Sequence, residues 1–346
     1  MKPLDCKDLA HVLAHTEPLW ERARGRRLFI SGGTGFFGTW LTESLLHCNR
    51  ALDLGLSATI LSRDPDAFLH KLPHLAGEPA LRFARGDVRD FAFPEEPFDF
   101  VVHAAAPTLE STAGAHAERL RTLMGGTRRM LAFAEACCAQ SLLFVSSGAV
   151  YGKQPEGLSQ LTEDYAGAPD CLDPASSYGE GKRVSELMCA HHARQTGLPI
   201  AIARCFAFVG PHLPLDEHFA IGNFLGDALA GRPILVRGDG TPMRSYLYAA
   251  DLAVWLWTML LRAPEMQETP CAFNVGAGEA ICLSDLARKV AEVVNPACTV
   301  EIAQEPKDDA PRQQYVPDVT RAETLLGLRA WIGLEEAIRR TTDWHR

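Results

Sequence analysis

Residues 28–38 read Leu-Phe-Ile-Ser-Gly-Gly-Thr-Gly-Phe-Phe-Gly: four residues fit for a buried strand, a glycine turn, and the start of an apolar segment whose helical spacing continues to Cys48. Gly32, Gly35 and Gly38 form GxxGxxG. Glycines at these places permit a tight turn, close approach of backbone to a pyrophosphate, and close packing of the helix, whose first N–H groups can donate to the anion. In a strand–turn–helix setting the motif predicts dinucleotide binding by Gly32, Thr34, Gly35, Phe36, Phe37 and Gly38 rather than a purely structural turn. Outward from it, a second strand is expected at Ala58 to Ser62. Apolar runs at Leu81 to Ala84, Phe100 to His103, Leu142 to Ser146 and Ile200 to Ala203 then alternate with helices near 115–138 and 178–196. That alternation predicts an α/β fold with a doubly wound parallel sheet.

Upstream, Leu9, Val12, Leu13, Leu19 and Trp20 fall at partly helical spacing, which predicts a short packing helix within residues 5–23. Between Gly152 and Ser177 the composition turns to Gly, Pro, Asp and Ser, the mark of a loop. Beyond Gly210 the alternation weakens, and Pro/Gly-rich pieces separate helices near 219–230, 251–262 and 283–294. The expected division is an N-terminal helical extension (1–25), a dinucleotide-binding domain (26–205 plus later segments near 243–276), and a smaller α/β substrate-binding lobe (206–242 and 277–346). The ligand is expected in the cleft between the lobes.

The net charge of -9 argues against a general binder of nucleic acid or anionic membrane, so an anionic small ligand would need specific arginines. None of the ten cysteines forms CxxC, which fits reduced thiols and no disulfide framework. No apolar run reaches the ~18 residues of a membrane span, and Asp5, Lys7 and Asp8 interrupt any signal-like core. A soluble, cytoplasmic protein is expected.

Tyr178-Gly179-Glu180-Gly181-Lys182 places a phenol and an ammonium four residues apart, on one helix face. A neighbouring ammonium favours phenolate and draws a tyrosine from its usual pKa of about 10 towards working pH. Alone, this spacing occurs on many solvated helices. Ser146 and Ser147 stand at the carboxyl end of a strand, where open α/β sheets bind ligands. With the glycine turn, Ser147, Tyr178 and Lys182 make a dehydrogenase triad. Arg63, after the second strand, suits a ribose 2′-phosphate and favours NADP, whereas Asp64 in a shifted register would hold the ribose of NAD. Asp87 either accepts from the adenine amino group or caps the next segment.

These pieces stand with further motifs: Gly-Asp-Val (86–88), His-Ala-Ala-Ala (103–106), Ser-Ser-Gly-Ala-Val-Tyr-Gly (146–152), Val-Gly-Pro (209–211) and Arg-Ser-Tyr-Leu-Tyr-Ala-Ala-Asp (244–251). From about residue 26 to 330 the chain resembles the extended short-chain dehydrogenase/reductases that act as nucleotide-sugar epimerases, dehydratases and reductases. The resemblance implies a Rossmann-type domain holding NAD or NADP, with Val88, Ala104 and Ala105 lining the coenzyme. It implies Ser147 on the substrate oxygen, Tyr178 as acid/base, and Lys182 on the nicotinamide ribose. Arg244 and Arg312 match the two arginines on the substrate diphosphate. Asn223 matches a residue on its nucleotide side, with helix capping as the alternative. The resemblance further implies a homodimer through helices 115–138 and 178–196, and no metal. His103 is expected to be structural.

The departures narrow the reaction. Family dehydratases carry Asp-Glu after the catalytic Ser/Thr; this chain has Gly148 and Ala149, which move no proton, so water elimination and sugar-acid decarboxylation are disfavoured. Leu123 replaces an asparagine that holds a buried polar network in relatives. The leading expectation is hydride transfer at C4 of a nucleoside-diphosphate hexose, as 4-keto reduction or epimerisation. The alternatives are a reductase of aromatic or steroid-like carbonyls, suggested by Arg63-Asp64-Pro65, and a catalytically silent dinucleotide sensor.

Overall fold

Local sequence preferences explain the elements of the computed structural model, which describes residues 1–107, 113–217, 219–266, 269–306 and 313–346. Helix α1 (Cys6–Thr16) is capped by the Asp5 carboxylate and gives way to a 3₁₀ turn over Glu17–Ala23. It stops short of the expected residue 23 because Pro18 has no N–H to continue the ladder. Strand β1 (Arg27–Ser31), helix α2 (Phe36–Ala51), β2 (Ser57–Ser62), α3 (Pro65–Lys71), β3 (Leu81–Arg85), β4 (Phe100–His103), α4 (Ala113–Ala136), β5 (Ser141–Ser147), α5 (Ser177–Thr196) and β6 (Ile200–Cys205) follow. The remaining elements are β7 (Phe208–Val209), α6 (Ala220–Leu229), β8 (Ile234–Val236), β9 (Met243–Arg244), β10 (Leu247–Tyr248), α7 (Ala249–Arg262), β11 (Cys271–Val275), β12 (Ile281–Cys282), α8 (Leu283–Val294), β13 (Val300–Ile302), β14 (Gln314–Tyr315), α9 (Thr320–Leu326) and α10 (Leu334–His345).

The main sheet has the order β11-β6-β5-β4-β1-β2-β3. Pairings from β3 through β6 are parallel. Every residue of β4 and β5 is buried, as expected of strands covered by helices on both faces. Beneath the sheet Phe29 gathers Phe91, Phe98 and Phe133, with centroids 4.4–5.4 Å away. The chain runs outward in opposite directions from β1, through β2 on one side and β4 on the other. Their carboxyl ends therefore flank the switch point where open sheets take ligands.

Two compact units are present: Met1–Gly152 with Ala168–Cys205 and Ala253–Phe273, and Lys153–Gly167 with Phe206–Leu252 and Asn274–Arg346. The first unit includes the N-terminal helix and the main sheet. Residues 243–252, grouped with the dinucleotide domain from the sequence, fall in the second unit, because β9 pairs with β12 and β14 there. Residues 153–167 belong to it as well: Asn274 Nδ2 donates to Leu161 O at 2.7 Å and Leu161 bridges to Pro317. The two- and three-residue strands of this unit escaped the sequence reading, since so few residues carry no period. Among the described residues no helix is long and apolar enough to cross a membrane.

Candidate active site

The turn after β1 is built on close approach. Gly32 has φ +76°, and a Cβ there would lie 2.5 Å from the Ala104 carbonyl carbon and the Ala105 nitrogen. A Cβ on Gly38 would lie 2.3 Å from Gly32 O and Gly33 Cα. The residues between these glycines lead straight into α2, which begins at Gly35 without a side-chain cap. Its N-terminus is thus a backbone donor set for an anion. Turn, helix end and the Ala104-Ala105 backbone fit the pyrophosphate of a dinucleotide. Val88 packs on α4, where a Cβ at Gly126 would meet it at 2.9 Å.

Arg63 is exposed at the end of β2. The Asp64 carboxylate accepts from Ala67 N–H at 3.1 Å, capping α3. Asp87 accepts from the Arg89 N–H at 2.9 Å and its Nε at 2.8 Å. Arg89 holds the Asp87 carboxyl below the usual range.

At the carboxyl end of β5, Ser147 Oγ accepts from Ala149 N–H at 3.2 Å, and Ser147 is the group that most lowers the Tyr178 phenol. Helix α5 reaches this turn because residue 179 is glycine: a Cβ there would lie 2.6 Å from Ala149 O. Burial pushes the Tyr178 phenol up. Ser147 and the Arg119 charge pull it back, while Cys205 adds to the rise. Lys182 was expected to depress this phenol, but it is not among the groups that do. Its Nζ donates to Val145 O at 2.6 Å and lies 4.9 Å from the Phe144 ring centroid. Burial draws Lys182 itself down to about 8.

Arg119, buried on α4, donates to Ser177 Oγ at 3.2 Å, immediately before Tyr178. No motif announced it. Glu186 and Arg204 were also passed over. Arg204 Nη2 meets Glu186 Oε2 at 2.7 Å, and the pair is largely buried. Breaking such a pair from one side costs about 3–5 kcal/mol. The clue in the sequence was the register of Tyr178, Lys182 and Glu186, each four residues on.

His103 is walled in: Nδ1 lies 2.8 Å from Ser31 Oγ and Nε2 3.2 Å from Thr127 Oγ1. Burial, aided by the Lys182 charge, lowers its pKa to about 3, so it stays neutral. Leu123, in the place of the family's asparagine, keeps a polar link through its backbone: its carbonyl accepts from Thr127 Oγ1 at 2.8 Å.

In the second unit Arg244 Nη1 donates to Met243 O at 2.8 Å, and its guanidinium lies 5.9 Å from the Tyr315 ring centroid. Tyr315 is its register partner across the parallel β9–β14 pair. Asn223 is the fourth residue of α6, so it does not cap that helix; Phe219 stands at the cap position. Arg312 lies outside the described residues. Among the described residues no cluster of His, Cys, Asp or Glu could hold a metal ion.

Residues 28–276 match the family model described as NAD dependent epimerase/dehydratase family. UDP-glucuronic acid decarboxylase 5 of Arabidopsis thaliana is 30% identical over 313 residues, 90% of this chain and 87% of that protein. UDP-glucuronic acid decarboxylase 1 of Xenopus tropicalis is 29% identical over 322 residues, 93% and 72% of the two chains. Among solved structures, the UDP-N-acetylglucosamine 4-epimerase of Methanobrevibacter ruminantium M1 superimposes with a TM-score of 0.76 at 22% identity, covering 92% of this chain and 98% of that one. The chain belongs to the NAD dependent epimerase/dehydratase family.

Proposed function

We propose that this chain transfers hydride at a ring carbon, C4, of a nucleoside-diphosphate hexose, by 4-keto reduction or epimerisation, without eliminating water. The observation that carries this reading is the buried Tyr178 phenol, with Ser147 the group that most lowers it, beside a turn, Gly148–Tyr151, that bears no carboxylate. Bound nicotinamide supplies the hydride donor or acceptor. Ser147 hydrogen-bonds the reacting oxygen. Tyr178, a neutral phenol in this buried setting, gives that oxygen its proton on reduction, and the phenolate it then becomes is the form that takes a proton on oxidation. Lys182 holds the nicotinamide ribose. The substrate class follows the named activities of the matched relatives, which act on UDP-linked sugars.

Arg63 supports NADP, because it is exposed at the end of β2 while the rival carboxylate, Asp64, is engaged as a helix cap. Arg244 and Arg312 are proposed on the substrate diphosphate, where planar guanidinium forks pair with phosphate oxygens, and Asn223 on its nucleotide side. Arg244→Ala is expected to raise KM for the nucleotide sugar by about 10- to 100-fold, the loss of a charge-assisted hydrogen bond, with a smaller change in kcat. Equal KM values in the two proteins would point to an apolar carbonyl substrate instead.

Decarboxylation is the second reading, favoured by the names of the matched relatives. The missing acid at Gly148-Ala149 weighs against it, and Glu186 is held by Arg204 rather than presented as a proton donor. Purified protein incubated with UDP- and dTDP-hexoses, their 4-keto forms and UDP-glucuronic acid decides the matter. Coenzyme consumed with a 4-keto sugar means reduction, and an epimer without net consumption means epimerisation. Carbon dioxide or a dehydrated product would overturn the proposal. A homodimer through α4 and α5 completes it, supported by the exposed Met124 and Leu187 on those helices; a monomeric mass in light scattering would count against it.

A further inference from the structure

The reactive face of α5 extends one turn past Lys182 to Glu186. Residues 178, 182 and 186 repeat every four positions and share one face, and each meets the end of β5. Ser147 bears on the Tyr178 phenol, Lys182 Nζ donates to Val145 O at 2.6 Å, and Ser146 Oγ donates to Glu186 Oε1 at 2.5 Å. Two residues one helical turn apart thus hold two consecutive strand residues. Arg204 of β6 donates from Nε to both Glu186 oxygens at 3.1 Å and from Nη2 to Oε2 at 2.7 Å. Its Nη1 donates to the Tyr151 hydroxyl at 2.9 Å, and the guanidinium lies 4.9 Å from that ring's centroid. The carboxylate therefore ties α5, the ends of β5 and β6, and the 148–151 turn into one network.

We propose that Glu186 is a positioning residue for the reaction: its carboxylate holds the Val145–Ser147 strand end against α5, so that Ser147 and Tyr178 face one substrate oxygen, and it supplies the counter-charge to Lys182. The inference rests on the reading of Tyr178 as acid/base. The groups coupled to Lys182 are Cys205 on β6, Glu186 and Cys189 on α5, and His103 on β4; Tyr178 shares its helix face, and Arg204 of β6 is paired with Glu186. Arg119 of α4 acts on Tyr178. Burial lowers Lys182 to about 8, against Cys205, Glu186 and Cys189. Both thiols are pushed far up by burial and carry no charge where Lys182 titrates. His103 is neutral there too. Near neutrality the Glu186 carboxylate is accordingly the group that keeps Lys182 an ammonium. In that form Lys182 donates to Val145 O and so holds the strand end that carries Ser147. Replacing the carboxylate by an amide removes this support and leaves the Arg204 charge uncompensated; both changes make Lys182 lose its proton at lower pH.

The test compares Glu186→Gln with wild type, full-length and coenzyme-loaded. Two quantities are read: kcat and KM against pH, and the carbon-13 shift of Lys182 Cε against pH, assigned with Lys182→Arg. We expect kcat at neutral pH to fall by about tenfold or more with KM unchanged, and the Lys182 titration to move acidward by about one unit. Coincident Lys182 titrations with kcat within about twofold of wild type, whatever the melting temperature does, would overturn the proposal and leave Glu186 as part of a buried ion pair alone. If Glu186→Gln does not fold, Ser146→Ala removes the strand anchor and spares the charge. It should lower kcat several-fold without moving the pH profile, and an unchanged kcat would overturn the proposal. The Lys182 titration needs no substrate. It therefore still decides the role of Glu186 if the wild type turns over none of the nucleotide sugars and the functional reading itself fails.

Discussion

Tyr178→Phe should lower kcat by about 10²–10⁴, the usual contribution of a positioned acid/base, and leave coenzyme retention and melting temperature close to wild type. Phenylalanine keeps the ring, so the packing of α5 against the 148–151 turn survives. What is lost is the phenol's proton, which sits beside Ser147. Reduction leaves an alkoxide that must acquire a proton, and among the described residues the turn beside Ser147 carries no carboxylate to supply it. Progress curves on the nucleotide sugar, with the nicotinamide absorbance of the purified protein as a check on loading, give the answer. Turnover within about tenfold of wild type would remove Tyr178 from the chemistry.

Gly38→Ala should expel the coenzyme and lower the melting temperature. The new Cβ would lie 2.3 Å from Gly32 O and Gly33 Cα and 2.4 Å from Gly33 C, all backbone atoms, so no rotamer relieves the overlap. Helix α2 must shift away from the turn that presents its N-terminus. Overpacking of this kind costs about 1–3 kcal/mol, or roughly 5–10 °C in a unit of this size. Gly35→Ala is the control: its Cβ would sit 3.6 Å from Gly32 O, an ordinary contact, and near-normal stability is expected. Thermal denaturation with and without added NAD separates the two. Equal behaviour of both variants would mean that close approach at residue 38 does not build the cradle.

Much of the first unit was legible because its information is local. A strand of Leu28 to Ser31, a glycine turn and the helix that follows announce themselves within about twenty residues, and the structure starts strand and helix each one residue earlier than expected and carries the helix three residues past Cys48. The second unit was less legible. Of its helices α6 and α8 were found from their periodicity and α9 and α10 were missed, while β7, β9, β10, β12 and β14 are two residues each and exist only because partners lie alongside. For Asn223 the capping alternative fails, since the helix begins earlier, at Ala220.

The sequence by itself determined the alternation that makes a parallel sheet, the glycine cradle, and the Tyr178/Lys182 pair, because each is written in spacings of a few residues along one strand or one helix. Only the tertiary structure decided what surrounds that pair. It bonded Lys182 to a strand carbonyl rather than to the phenol, brought the Arg119 charge to bear on Tyr178, and set Glu186 between Ser146, 40 positions away, and Arg204, 18 positions away. A titration depends on burial and on charges gathered from several elements, and no spacing along the chain records that gathering.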